Sequence, residues 1–297
     1  MPLPLESVPN FSEGRDRTTL DALAEALSGH ASLLDVHADA DHNRSVFTVV
    51  GDEAALEEGL LAAIACARDR IDLRAHEGAH PRIGAADVVP IVPIRAEQMA
   101  RAKSVALALA RRVADELQLP VFLYGELAEG RGPAFFRSGG LEALRKRVRS
   151  GDLAPDFGPR EVDERSGAVL VGARRPLIAF NVNLRGKLDV AREIAATIRE
   201  RDGGFPGVRA LGLDLPRAGV VQVSMNVEDW EAAGLHLIVE AIQREAALRG
   251  AELLGSELVG LMPGGAAAAA AGAALRIEGF DASRVLELRV LESELPS

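Results

Sequence analysis

The hydrophobic pattern of the chain changes period in one fixed order, and does so twice; this constrains the fold more than any single motif. Short β-branched runs at residues 3–8, 33–36, 46–50 and 88–93 bracket helical stretches at 18–27 and 52–71. The first helical stretch keeps Leu20, Leu23, Ala24 and Leu27 on one face. The order is β-α-β-β-α-β, followed by an appended helix, strand and helix at 99–117, 120–124 and 141–148. Residues 150–167 then break the pattern, because Pro155, Gly158, Pro159 and several ionisable side chains make a loop. After it the order repeats, with strands at 178–182, 208–213, 220–227 and 253–261 and helices at 189–199 and 235–248. This predicts an α/β (α+β) protein of two ferredoxin-like βαββαβ halves, each hiding one face of its sheet behind helices. Element order repeats, not residue identity, although both halves carry asparagine near the first strand, at Asn10 and at Asn181 and Asn183.

With 297 residues, 48% hydrophobic and 26% charged, the chain has material for a sizeable core, which excludes a disordered or fibrous protein. Asp and Glu total 44 against 34 Lys and Arg, a net charge of −10. Broad binding to nucleic acid or to an anionic membrane needs a basic face, so neither partner is expected. A small anion could still bind where several arginines converge. The single cysteine, Cys66, excludes an internal disulfide and CxxC metal sites, and its alanine-rich surroundings suit a buried structural thiol. The opening residues have no signal-peptide pattern, and the longest low-polarity run, 264–275, falls short of the ~20 residues that span a bilayer. A cytoplasmic protein is expected.

The densest group of reactive side chains is Arg74, His76, Glu77, His80, Arg82 and Asp87, just before the strand at 88–93. A histidine near its ordinary pKa of ~6.5 takes and returns a proton at neutral pH. Neighbouring arginines can grip carboxylates bidentately. A polar surface loop with incidental histidines is the plain alternative. A metal site is the sharper one, since residues 76–80 match the H-E-x-x-H zinc pattern letter for letter. That pattern works on a helix, and Gly78 within it and Pro81 after it make a helix poor. Two smaller groups accompany this one. Asp39, Asp41, His42, Asn43 and Arg44 form a polar loop between two strands, where an Asx-rich turn would account for them. Asn10 and Ser12 follow the first strand, where either could cap the next helix. Trp230 and Tyr124 are too few to stack bases.

Taken together, Val8-Pro-Asn-Phe-Ser-Glu-Gly-Arg15, Asp41-His-Asn-Arg-Ser-Val46 and His80-Pro-Arg-Ile-Gly-Ala-Ala-Asp-Val88 resemble the glutamate formimidoyltransferase family. So do Ala154-Pro-Asp-Phe-Gly-Pro159, Ile178-Ala-Phe-Asn-Val-Asn183, Gln222-Val-Ser-Met-Asn226 and Gly255-Ser-Glu-Leu-Val-Gly-Leu261, in the same order along the chain. What is similar is the transferase part of formimidoyltransferase-cyclodeaminase. The resemblance implies two subdomains, 1–176 and 177–297, with facing β-sheets and helices on the outside, in a homodimer. It implies transfer of a formimidoyl group from N-formimidoyl-L-glutamate to N5 of tetrahydrofolate, releasing L-glutamate, in histidine degradation.

The family's catalytic histidine precedes Pro-Arg, which makes it His80 here, acting as general base and then acid. Its folate loop corresponds to Gly158, Pro159, Arg160, Glu161, Val162, Asp163, Glu164, Arg165, Ser166 and Gly167. Carboxylates on both substrates give Arg44, Arg74 and Arg82 a purpose in an acidic protein, with Asn10, His42, Asn43 and Asp87 lining the site. Tetrahydrofolate enters as acceptor substrate, and no metal is required. Two other readings stay open: an N-formylglutamate-to-tetrahydrofolate formyltransferase, and a non-catalytic folate-binding homologue.

Overall fold

The structure, a computed structural model, describes residues 3–294, and the chain divides after Pro176 into two compact units. The first runs β1 (Leu5–Ser7), β2 (Asn10–Phe11), α1 (Arg17–Ser28), β3 (Ser32–Asp39), β4 (Arg44–Gly51), α2 (Glu53–Arg70), β5 (Ala86–Pro93), α3 (Met99–Leu117), β6 (Val121–Gly125), α4 (Pro133–Arg137), α5 (Gly140–Ser150) and β7 (Val169–Ala173). β1 and β2 are one strand interrupted at Pro9, which has no N–H for a ladder. Both pieces lie between β4 and β5. The sheet order is β3-β4-(β1/β2)-β5-β7-β6, antiparallel as far as β5 and parallel beyond it.

Two elements of this unit escape the sequence pattern. β7 is five residues long, contains Gly172 and follows a Gly/Pro-rich loop, so it leaves little periodic signal. α4 is as short, and Gly130, Gly132 and Pro133 mask it. The polar loop expected at residues 39–45 shrinks to a tight turn, because β3 runs to Asp39 and β4 starts at Arg44.

Helices cover both faces of this sheet. Leu23 and Leu27 of α1, Leu56, Leu60 and Ile64 of α2, and Leu109 and Val113 of α3 pack on Leu5, Phe11, Val49, Val89 and Ile91, none more than 1% exposed. Each such side chain contributes about 1.5–3 kcal/mol by leaving water. On the other face Phe136 of α4 and Leu144 and Val148 of α5 cover Phe122, Tyr124 and Leu170. That double burial is why β6 reads as an unbroken apolar run. Asp16, not Ser12 or Asn10, caps α1, its carboxylate accepting the Thr18 and Thr19 N–H groups.

The second unit runs β8 (Ile178–Arg185), α6 (Leu188–Ile198), β9 (Val208–Leu215), β10 (Val220–Val227), α7 (Leu235–Leu248), β11 (Glu252–Val259), α8 (Gly264–Leu275) and α9 (Leu286–Glu294). Its antiparallel sheet is ordered β11-β8-β10-β9. Counted within each unit, the strands lie second-third-first-fourth in both. The repeated element order is therefore a repeated ferredoxin-like topology. Ile194 and Ile198 of α6 and Ile238 and Ile242 of α7 bury Val182, Leu184, Val223 and Val227 on one face. Among the described residues no helix is long and apolar enough to cross a membrane.

Candidate active site

Between α2 and β5 the chain makes one 3₁₀ turn, Leu73–Ala75, and then no regular structure until Ala86. His76 and His80 therefore share no helical face, and the H-E-x-x-H match lacks the helix it needs. Gly78 shows why the segment is irregular: a Cβ there would sit 2.2 Å from the His42 carbonyl oxygen. The loop lies directly on the β3–β4 turn. Among the described residues, no three His, Cys, Asp or Glu side chains are grouped to hold a metal ion.

Arg82 fastens loop to turn. Its Nη1 donates to the Asn43 carbonyl at 2.8 Å, and its Nη2 donates to the carbonyls of His42 at 2.8 Å and His80 at 2.6 Å. His76 Nε2 lies 2.7 Å from the same Nη1, and burial together with the Arg82 charge lowers its pKa. Asn43 makes the turn itself, with a φ of +45° that asparagine tolerates. Its side chain accepts the Gly14 N–H and donates to the Glu77 carbonyl, both at 3.0 Å. Arg82 and Asn43 thus hold backbone rather than offer themselves to a carboxylate. Arg74 is exposed, with its guanidinium on Asp72 and away from this cluster. The sequence reading places Arg74 and Arg82 on substrate carboxylates; here their guanidinium groups are taken up by Asp72 and by backbone carbonyls.

Arg44 does face a buried polar centre. Phe11 pairs with Ala86 and Asn10 with Val88, so Asp87 is the extra residue of a β-bulge, a device that re-aims a side chain. Its Oδ1 accepts the Ile83 N–H at 2.8 Å, and its Oδ2 accepts Arg44 Nη1 at 2.8 Å together with Arg137 Nη2. Arg44 Nε and Nη2 donate to Asn10 Oδ1 at 3.1 and 2.9 Å. Burial alone would raise the Asp87 carboxyl, but Arg137 and Arg44 outweigh it and hold it far below the usual carboxylate range. Burial pushes the Arg44 guanidinium down to about 10 in spite of Asp87. Arg137 is the residue the sequence reading missed. It comes from α4, 50 positions beyond Asp87, and no motif spacing announces it.

His80 adjoins this centre. Its ring stacks on His42 with centroids 6.0 Å apart. Its Nδ1 lies 2.8 Å from the Pro81 carbonyl oxygen. A carbonyl only accepts, so Nδ1 carries the proton and Nε2 keeps its lone pair. Burial, then the Arg44 and Arg137 charges, push the imidazole well below 6.5. At neutral pH the ring is an uncharged base.

The stretch from Gly158 to Gly167 ends against the His80 loop. Gly84 and Gly167 form a bridge, Ala85 N–H donates to the Ser166 carbonyl at 2.8 Å, and Ala168 N–H donates to the Ile83 carbonyl at 3.0 Å. Ser12 fastens the same segment, its hydroxyl donating to the Gly84 carbonyl at 2.7 Å. Most side chains of the stretch serve the stretch itself. Asp163 accepts from Ser166 and from the Arg165 N–H, Val162 joins the core, Glu164 pairs with Arg145, and Arg165 donates to the Asp69 carbonyl. Gly158, Arg160 and Glu161 are exposed and Pro159 is half-buried.

Known proteins share this sequence over nearly its whole length. A family model described as the formiminotransferase domain, N-terminal subdomain, matches residues 4–174, and one described as the formiminotransferase domain matches residues 179–280. A glutamate formimidoyltransferase from Streptococcus pyogenes serotype M1 is 38% identical over 98% of both chains. One from Thermoplasma acidophilum is 38% identical over 96% of this chain and 97% of its own. The formimidoyltransferase-cyclodeaminase of Rattus norvegicus is 41% identical over 87% of this chain and 50% of its own length.

Proposed function

The chain belongs to the formiminotransferase family, and from that membership and the lone pair on His80 Nε2 we propose that it transfers a formimidoyl group from N-formimidoyl-L-glutamate to N5 of tetrahydrofolate. N5 attacks the formimidoyl carbon and its proton passes to Nε2. The bond from that carbon to the glutamate nitrogen then breaks, and Nε2 returns the proton to the departing nitrogen. Atoms and charge balance with no further reactant. The observation that carries this is the Nδ1–Pro81 contact, which leaves Nε2 as the basic nitrogen.

Tetrahydrofolate is held, in this reading, by the stretch from Gly158 to Gly167, through its backbone and its exposed Arg160 and Glu161. Arg44 faces a substrate carboxylate, and Asn10, His42 and Asp87 shape the ground beneath it. The enzyme works in the cytoplasm as a homodimer, each chain carrying subdomains 1–176 and 177–297, and sedimentation of the purified chain tests the dimer. Donor identity is tested by incubating the chain with tetrahydrofolate and either N-formimidoyl- or N-formyl-L-glutamate. Release of L-glutamate from the first is expected. Release from the second alone would make the protein a formyltransferase, and release from neither would leave a folate-binding homologue.

A further inference from the structure

Two guanidinium groups meet on a single carboxylate oxygen, Asp87 Oδ2, with side-chain exposures of 8% for Arg44, 13% for Arg137 and 0% for Asp87. The centre therefore holds two positive charges against one negative. Arg82 adds another positive charge, and its guanidinium donates to backbone carbonyls. Buried charge is costly unless paired, so an excess of one sign is a vacancy for the other. Arg137 Nε is a second, independent sign: it is buried and has no hydrogen-bond acceptor among the described residues. Buried donors are rarely left so.

The geometry points to Arg137 as a carboxylate-binding residue, its guanidinium braced from below by Asp87 and offering its remaining donors to a substrate anion beside His80. This rests on the reading of His80 as the proton carrier. Both substrates bear carboxylates. On the glutamate donor the α-carboxylate is separated from the reacting nitrogen by one carbon. On tetrahydrofolate the glutamyl carboxylates lie at the far end of the aminobenzoyl arm from N5. Arg44 lies two residues from His42, whose ring stacks on His80, and Asp87, which holds both guanidiniums, is bonded to the N–H of Ile83 three residues beyond His80, so an anion bound to them lies near the reacting atoms. Only the donor's α-carboxylate meets that condition.

The test uses Arg137→Gln and Arg137→Lys in the full chain, with thermal melting to follow the fold. Calorimetric binding of L-glutamate and steady-state KM for each substrate are the readouts. Arg137→Gln should weaken L-glutamate binding and raise the donor KM roughly 10- to 100-fold, as loss of a charge-assisted hydrogen bond does. The tetrahydrofolate KM should stay within about twofold, and Arg137→Lys should recover part of the loss. A rise confined to the tetrahydrofolate KM would overturn the donor assignment. Unchanged values for both would overturn the anion site. If Arg137→Gln does not fold, Arg137→Lys must show the donor-selective rise, and its absence overturns the proposal. His80→Ala separates the two readings: it should bind L-glutamate as wild type does while its kcat falls by about 10²–10⁴. An active His80→Ala would sink the proton-transfer reading and leave the Arg137 binding data standing.

Discussion

His80 Nδ1 lies 2.8 Å from the carbonyl oxygen of Pro81. The next residue along the chain thus fixes the tautomer, and Arg82 in turn grips the His80 carbonyl at 2.6 Å and anchors the loop to the β3–β4 turn. Asp87 holds the far end through the Ile83 N–H. The candidate base is positioned by backbone on both sides.

Charge around His80 sets the first prediction. Burial and the Arg44 and Arg137 charges disfavour imidazolium, so its protonation moves to well below pH 6.5. The base form is then present above that pH, and kcat/KM falls only as pH drops through the lowered value. The pH–rate profile should show no acid limb centred between pH 6.5 and 8. Arg137→Gln removes one of the opposing charges and should move the limb toward neutrality. A wild-type limb at 6.5 or above would contradict this.

Arg82 carries the second prediction. It donates to three carbonyls, and charge-assisted hydrogen bonds are worth about 1.5–3 kcal/mol each when isolated. Arg82→Ala should lower stability by about 2–4 kcal/mol in urea melts and reduce kcat while raising both KM values. A rise in one substrate's KM alone, with stability intact, would restore the carboxylate role.

The third concerns the seam between the His80 loop and the stretch ending at Gly167. A methyl at Gly84 would come within 2.0 Å of the Ala168 carbonyl oxygen, a backbone atom that cannot swing aside. Gly84→Ala should cost about 3 kcal/mol or more and abolish turnover. Wild-type melting would mean the seam is looser than described.

Sequence periodicity carried the architecture well, because long amphipathic helices such as α3 and α7 and the alternating strands of the second unit declare their buried faces. It failed where elements are short or double-faced: β7 and α4 have five residues each. The His80 loop was legible from its crowding of ionisable groups. The roles within it were not, since Arg44, Arg74 and Arg82 look alike until their partners are known. Arg44 faces Asp87, Arg82 faces carbonyls and Arg74 faces Asp72. Arg137 and the bulge at Asp87 arise from pairing between distant strands and helices, which no local pattern encodes.

The most direct measurement is single-turnover and steady-state kinetics of His80→Ala with N-formimidoyl-L-glutamate and tetrahydrofolate, alongside His76→Ala. General acid–base assistance is worth about 10²–10⁴ in rate, so kcat of His80→Ala should fall by that factor while its melting point and L-glutamate affinity hold. His76 Nε2 lies against Arg82 Nη1, so His76→Ala should cost less than about tenfold in kcat. Near-wild-type turnover by His80→Ala, with His76→Ala inactive, would show that the proton moves through the other histidine and contradict the account.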